Sequence, residues 1–246
     1  MTEEPYRWLE AVGNRREYVR EQLKTGSPVF AVSLPEGVVL LGVGSGQSKV
    51  FELFDRHALA GLGHPADLEK IRQAAIDAAH LEAFTRAPED VSLRRLISFG
   101  LSPQLKAQFE QLFSAPFLVE LLFVEMSAVA ERDSLVRVHF DGAYESQLSG
   151  VVCCASVPAT ESAAKTWLTK SLPGKQDRRS VVDLLLQAWW LMGENKSFED
   201  PVVAEPERQA GWRSALQGRV VEIGWLARNV PQRVRFQNLT LGQLGL

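Results

Sequence analysis

The residues from 42 to 46, GVGSG, are the kind of small-residue run with which backbone amides can bind a phosphate. A phosphate-binding loop ends in Lys-Ser or Lys-Thr and leads directly into a helix, and this run does neither. It therefore predicts a tight turn, not a nucleotide site.

Histidine and cysteine are the other residue types here that could bind a metal or act as nucleophiles. The chain has four histidines without metal-ligand spacing and only two cysteines, which are adjacent. Neighbouring residues of a strand point to opposite faces, so a disulfide between the two cysteines would be strained. We expect buried thiols in a reducing compartment, and neither a metal nor a cofactor. The residues are His57, His64, His80, His139, Cys153 and Cys154.

Bulk composition narrows the class of protein. Hydrophobic residues make up 46% of the 246 residues and charged residues 23%, close to the globular average. The net charge of −3 gives no long-range attraction to nucleic acid, which requires a clustered basic face. No apolar run is long enough to cross a membrane, and the polar start lacks signal-peptide features. We therefore expect a cytoplasmic protein with neither a nucleic-acid nor a membrane partner.

Hydrophobic periodicity divides the chain into groups of strands and pairs of helices. Residues 6–24 predict an amphipathic helix, because Trp8, Val12 and Val19 fall on one stripe. A polar stretch rich in Glu, Pro and Gly, residues 193–211, predicts a loop. The predicted strands are 29–34, 38–43, 49–54, 57–62, 117–126, 134–140, 149–156, 219–226 and 233–237, and the other helices are 66–86, 91–113 (with a break near 100–103), 158–170 and 177–192.

This order of elements predicts an α+β fold, a four-layer αββα sandwich of two antiparallel sheets between helix layers, with an N-terminal helix. Paired strands and paired helices do not fit the alternation of single strands and helices in a parallel sheet. No internal repeat or linker divides the chain, so residues 1–246 are expected to form one domain.

Five segments resemble α-type proteasome subunits, above all the bacterial (actinobacterial) type, which have the Ntn-hydrolase fold. Each segment is common alone, and it is their order and spacing over nearly the whole chain that carries the resemblance. The gate elements of archaeal and eukaryotic subunits, Tyr-Asp and Ser-Pro-Asp-Gly, are not found. The segments are the first helix (6–24), the hairpin and Lys-containing strand (35–56), a strand with two helices (57–96), a strand pair closed by FDGAYES (117–146) and the tail RVRFQNLTLGQLGL (233–246).

The resemblance places Ser27 where catalytic β subunits have their N-terminal nucleophile, whose own α-amino group acts as base. Pro28 follows it, the supporting acid falls at Val43, and only the supporting lysine has a counterpart, Lys49. If the first helix is retained, the nitrogen of Ser27 is an amide, which cannot take up a proton at neutral pH. The resemblance thus implies a non-catalytic subunit, and a divergent self-processing Ntn hydrolase with Ser27 as nucleophile is the alternative.

The resemblance gives Lys49 a second role, because the matching lysine of α subunits pairs with the C-terminal carboxylate of an activator or ATPase in pockets between subunits. The first helix, residues 1–26 with its leading segment, would lie on top of a ring and make ring contacts through Tyr6, Trp8 and Tyr18. The residues ahead of the helix would point into the pore as a short gate: Met1, Thr2, Glu3, Glu4 and Pro5.

The implied assembly is a homo-oligomeric ring of seven subunits stacked on a β-type peptidase ring. Such a ring would control substrate entry during protein degradation, with residues 27–246 forming the sandwich of each subunit. A proteasome-derived oligomeric scaffold without a β partner is a further alternative.

Overall fold

The structure is a computed structural model that describes residues 4–175, 177–198, 203–230 and 234–246. It begins with helix α1 (Glu4–Leu23) and then alternates groups of strands and helices. The strands are β1 (Val29–Leu34), β2 (Gly37–Gly44), β3 (Val50–Phe54), β4 (His57–Gly63), β5 (Val119–Glu125), β6 (Ser134–His139), β7 (Tyr144–Leu148), β8 (Val151–Cys154), β9 (Val220–Ala227) and β10 (Phe236–Leu239). The remaining α-helices are α2 (Pro65–Thr85), α3 (Leu93–Arg95), α4 (Ser102–Glu110), α5 (Pro158–Ser171), α6 (Arg178–Gly193), α7 (Glu205–Ala215) and α8 (Leu241–Leu244).

The strands form two five-stranded sheets. One sheet has the order β10-β9-β2-β1-β8 and the other the order β3-β4-β5-β6-β7, with antiparallel pairing throughout. Helices α5, α6 and α7 pack on the first sheet, and α2 and α4 pack on the second. The predicted α+β sandwich with an N-terminal helix is confirmed.

Strand β1 shows why the apolar runs of this chain are nearly continuous. Its Phe30 and Val32 belong to the apolar layer under α5 and α6, whereas Val29 and Ala31 face the other sheet. Because successive side chains of a strand point to opposite faces, a strand covered on both faces must be apolar at every position.

Helix α1 is anchored to the sandwich by its second half. Val19 and Leu23, 0% and 3% exposed, belong to the apolar layer between the two sheets. Arg16 Nη2 also lies 3.2 Å from a carboxylate oxygen of Asp141 in the turn between β6 and β7. The segment that precedes β1 is therefore part of the folded core.

Some predicted boundaries differ from the structure. The helix predicted over 91–113, with a break near 100–103, consists of a short α3, a π-helical turn (Leu96–Leu101) at the position of the break, and α4. Pro103 has no N–H and its ring crowds the preceding turn, and a wider π turn accommodates both effects. Strand β7 was not predicted, since its polar, exposed residues give no hydrophobic alternation.

The loop predicted for 193–211 is wrong from residue 205 onwards, because residues 205–215 form helix α7. Pro206 in the first turn suits a helix start, and a single side chain, Trp212, carries most of the burial at 2% exposure. One buried residue in an otherwise polar segment gives too weak a periodic signal to predict a helix.

Among the described residues, no helix combines the length and apolar character needed to cross a membrane.

Candidate functional site

Ser27 and Lys49 meet at one end of the sandwich. Ser27 stands just before β1 and Lys49 just before β3, and these strands belong to different sheets. The ammonium nitrogen Nζ of Lys49 donates a hydrogen bond of 3.1 Å to the main-chain carbonyl of Ser27. The structure thus brings together two of the positions that the sequence singled out.

The glycine run of β2 makes room for this lysine. A Cβ atom on Gly42 would lie 3.3 Å from Cβ of Lys49, and one on Gly44 would lie 3.3 Å from its Cε. Val43 between them is completely buried in the apolar layer on the opposite face of β2, under α6. The run therefore seats an aliphatic stem instead of a phosphate, and position 43 faces away from Lys49.

Glu222 of β9 fixes the main chain at Lys49. Its two carboxylate oxygens accept hydrogen bonds from the Lys49 N–H at 3.0 and 2.9 Å, and one of them accepts the Val50 N–H at 3.2 Å. Sequence reasoning missed this residue. Its signal was a carboxylate in an otherwise apolar strand, and such a group needs donors when it is partly buried.

The side chain of Ser27 is held by an indole. Trp189 of α6 is 5% exposed, and its Nε1–H donates to Oγ of Ser27 at 2.9 Å. Large aromatic side chains of this kind commonly pack in cores, and the sequence gave no sign of this hydrogen bond. The nitrogen of Ser27 is bonded to Gly26, whose own N–H closes the end of α1 on the Leu23 carbonyl at 2.7 Å.

A cavity of about 350 Å³ opens beside Ser27. Its walls are the turn after α1, the turn after β8, the C-terminal end of α6 and the turn after α7. Trp189 and Trp190 supply aromatic surface, and Lys24, Glu194 and Arg219 supply charge. Lys49 lies behind the Ser27 main chain and does not line this cavity. The cavity has the size of a small-ligand or peptide-end pocket.

The electrostatics of Lys49 are those of a partly buried cation. Burial lowers its pKa, the Glu222 carboxylate opposes that shift, and the positive charge of Arg219 reinforces it. A carboxylate arriving beside the ammonium would offset the cost of burial, because opposite charges at short range favour the charged form of lysine.

The structure describes only some of the residues predicted to form the gate and the ring contacts. Met1, Thr2 and Glu3 lie outside the described residues, and for Glu4, Pro5 and Tyr6 only the backbone is described. Helix α1 begins at Glu4, so Glu4 and Pro5 form part of its first turn instead of preceding it. Trp8 and Tyr18 are 48% and 51% exposed, as surface contacts require.

The histidines serve local structure. His64 accepts the Ala66 N–H at the start of α2, His57 donates to the Phe54 carbonyl at 3.0 Å, and His139 pairs with Glu120 at 3.0 Å. Within the described ranges, no group of His, Cys, Asp or Glu side chains has an arrangement that could hold a metal ion.

The two cysteines are free thiols buried in different layers of the sandwich. Burial raises the pKa of both Cys153 and Cys154 well above the usual value for a thiol. The thiolate is the reactive form, so neither side chain is activated as a nucleophile.

No protein-family model matches the chain. Among curated proteins, the proteasome subunit alpha of Pseudarthrobacter chlorophenolicus is 29% identical over 155 residues, which cover 61% of this chain and 64% of the relative. The same subunit of Actinosynnema mirum is 27% identical over 162 residues, 65% of this chain and 61% of the relative. That of Streptomyces coelicolor is 23% identical over 237 residues, 96% of this chain and 85% of the relative.

The first two matches thus span less than two thirds of the length of those relatives. The longer match runs through almost the whole sandwich. These similarities confirm the resemblance to α-type proteasome subunits of actinobacteria.

Proposed function

We propose that this chain is a non-catalytic α-type subunit that forms the outer ring of a barrel-shaped, proteasome-like protease. The similarity to α subunits and the αββα sandwich support this assignment. The observation that carries it is the state of Ser27, which sits beside Lys49 but in mid-chain, behind a folded helix.

Catalysis by Ser27 would need a free amine as base and a supporting acid, and the site has neither. The nitrogen of Ser27 is an amide and cannot act as a base, and its Oγ accepts the indole N–H of Trp189. The supporting acid is replaced by Val43, which faces the other side of β2. We infer that the site retains the lysine of an Ntn hydrolase without the means to activate a nucleophile.

Removal of α1 to expose Ser27 would also destabilise the fold. Val19 and Leu23 are almost fully buried between the sheets, and losing each would cost about 1.5–3 kcal/mol of apolar burial. Self-processing ahead of Ser27, the alternative function, would therefore open the layer that joins the two sheets.

We assign Lys49 the role of docking the C-terminal carboxylate of an activator. An ammonium has three donors, and among the described residues one hydrogen bond is formed by this ammonium, to the Ser27 carbonyl. A carboxylate entering beside Ser27 would supply a charged acceptor, and charge-assisted hydrogen bonds are about twice as strong as neutral ones. The adjacent cavity would hold the last side chains of the docked segment.

The remaining parts of the proposal extend the resemblance to α-type proteasome subunits. The ring would contain seven copies, stack on a β-type peptidase ring in the cytoplasm and admit substrates through a pore lined by residues 1–5. Tyr6, Trp8 and Tyr18 of α1 would make contacts within the ring.

The docking role is tested by reversing the charge with Lys49→Glu. Binding of the co-purifying activator to the assembled particle should be abolished in a pull-down, while the ring mass stays unchanged in native mass spectrometry. Lys170→Glu, at an exposed lysine near the end of α5, is the matched control and should bind normally. Activator binding that survives Lys49→Glu would contradict the assignment of this lysine.

A further inference from the structure

We propose that Arg219 is a second cation that binds the incoming carboxylate, acting together with Lys49. The inference rests on the proposed docking function and adds to it the charge pattern that the docked end must satisfy: a free carboxylate held between two cations from different elements.

Arg219 is held at a rigid corner of the chain. Helix α7 ends at Ala215, Gly218 turns the chain with a positive φ of 74°, and the Arg219 N–H donates to the Leu216 carbonyl at 2.9 Å. Glycine adopts such a φ without strain, so the turn delivers Arg219 at a defined place.

Helix α7 is itself fixed on α6. Trp212 is 2% exposed, and its Nε1–H donates to a carboxylate oxygen of Asp183 at 3.1 Å. Gly211 lies against Trp190 so closely that a Cβ atom would come within 2.4 Å of the ring. Helix α7 is thus docked on α6, and Ala215 at its end and Arg219 just beyond it line the cavity.

The guanidinium of Arg219 lies over the ring of Trp189, 5.4 Å from the ring centre. The same indole holds the Ser27 hydroxyl through its N–H. When a guanidinium stacks on an aromatic ring, its N–H donors stay in the plane of the guanidinium, where two of them can bind one carboxylate. One tryptophan therefore orients both Ser27 and Arg219 at the cavity mouth.

Arg219 has no internal counter-ion in the part of the chain that the structure describes. Lys24, also on the cavity wall, pairs with Glu21, whereas Arg219 forms no ion pair with any described residue. The carboxylate of Glu222 is occupied by the main-chain N–H groups of Lys49 and Val50. Ser27 links the two cations: Lys49 donates to its carbonyl, and Trp189, which lies under the Arg219 guanidinium, donates to its hydroxyl. A carboxylate that enters beside Ser27 would therefore approach both cations.

The probe for a test is a fluorescein-labelled hexapeptide, Gly-Ser-Gly-Ser-Phe-Leu, with a free C-terminal carboxylate, together with its C-terminal amide. Fluorescence anisotropy gives the affinity of each peptide for the full chain and its variants. The wild type should bind the free acid at least about tenfold more tightly than the amide, the factor that corresponds to 1.4 kcal/mol. Arg219→Gln should weaken binding of the acid about five- to tenfold and leave the amide unaffected.

Arg213→Gln is the matched control, because Arg213 is an exposed arginine of α7 that lies over the Trp212 ring at 4.6 Å, away from the cavity. Arg219→Lys should recover only part of the affinity, since lysine cannot make the flat two-point contact. Thermal melting should be the same for all three variants, which separates loss of binding from loss of fold.

Two outcomes separate the role of Arg219 from the docking function of Lys49. If Lys49→Met abolishes binding of the acid and Arg219→Gln leaves it unchanged, the role of Arg219 is refuted and the docking function stands. If the wild type does not prefer the acid over the amide, both the second cation and the carboxylate-docking function are refuted.

Discussion

Two cations of this molecule, the buried Arg228 and the partly buried Lys49, have opposite surroundings. Arg228 is 6% exposed, and its guanidinium forms a two-point ion pair with Asp133 at 2.8 and 2.7 Å. The same group donates to the main-chain carbonyls of Leu34, Pro35 and Ser127. Both the charge and the donors of Arg228 are thus satisfied within the chain.

Lys49 differs in both respects. Its ammonium donates to one neutral carbonyl, and the carboxylate of the neighbouring Glu222 is committed to main-chain N–H groups. A cation whose charge is neutralised within the chain serves to join elements of the fold. Arg228 in this way connects the ends of β1 and β9 with the start of β6. A cation left with spare donors beside a cavity is available to a partner.

The largest expected loss of stability comes from breaking the ion pair between Arg228 and Asp133. Arg228→Met leaves the Asp133 carboxylate, which is 0% exposed, without its counter-charge, and should lower the free energy of unfolding by about 3–5 kcal/mol. Denaturant unfolding measures the change. The double variant Arg228→Met with Asp133→Leu should recover a large part of it, because two apolar side chains leave no uncompensated charge. If Arg228→Met alone were as stable as the wild type, the ion pair with Asp133 would not be the structural contact described above.

A smaller loss of stability is expected from replacing His139, which pairs with Glu120 inside the chain and whose charge depends on pH. The hydrogen bond to Glu120 raises the pKa of His139, burial and Arg137 oppose the shift, and Asp141 adds to it. A raised histidine pKa contributes stability that is complete below the unfolded pKa of about 6.5 and is lost as pH rises through the folded value.

His139→Gln should therefore lower the free energy of unfolding by about 1–2 kcal/mol at pH 5.5, the scale of a charge-assisted hydrogen bond, and by clearly less at pH 8.5. Urea unfolding at the two pH values measures the difference. An equal loss at both would show that the imidazole acts through packing and not through its charge.

The smallest effect on stability is expected from Lys49→Met, which keeps the aliphatic stem and removes the charge. Burial lowers the pKa of Lys49, so the folded state carries a cost while the lysine is protonated in both states. That cost is relieved as pH rises from the folded pKa towards the unfolded value of about 10.4. The variant should match the wild type within about 1 kcal/mol at pH 7. A loss as large as that of Arg228→Met would show that Lys49 too is a structural cation.

The contrast also explains how much the sequence could predict. Layers of apolar residues repeat along the chain, so the sandwich and most strands follow from periodicity, and the resemblance located Ser27 and Lys49. Glu222, the hydrogen bond from Trp189 and the position of Arg219 could not be predicted. They depend on contacts between β3, α6 and the turn after α7, which are far apart in sequence.

Helix α7, residues 205–215, could not be predicted from the sequence for the same reason. Its helix is specified by docking on α6 through Trp212 and Gly211, not by an apolar stripe of its own. Residues that act through a tertiary partner leave little local signal, and both the ion pair between Arg228 and Asp133 and the cavity wall are built from such residues.

Native mass spectrometry of the particle purified from its host reports the mass of each chain and the number of copies together, and so tests directly whether this chain is a non-catalytic ring subunit. We expect an α-type ring in which every copy retains α1 ahead of Ser27. A chain that begins at Ser27, or a particle that contains no ring, would contradict it.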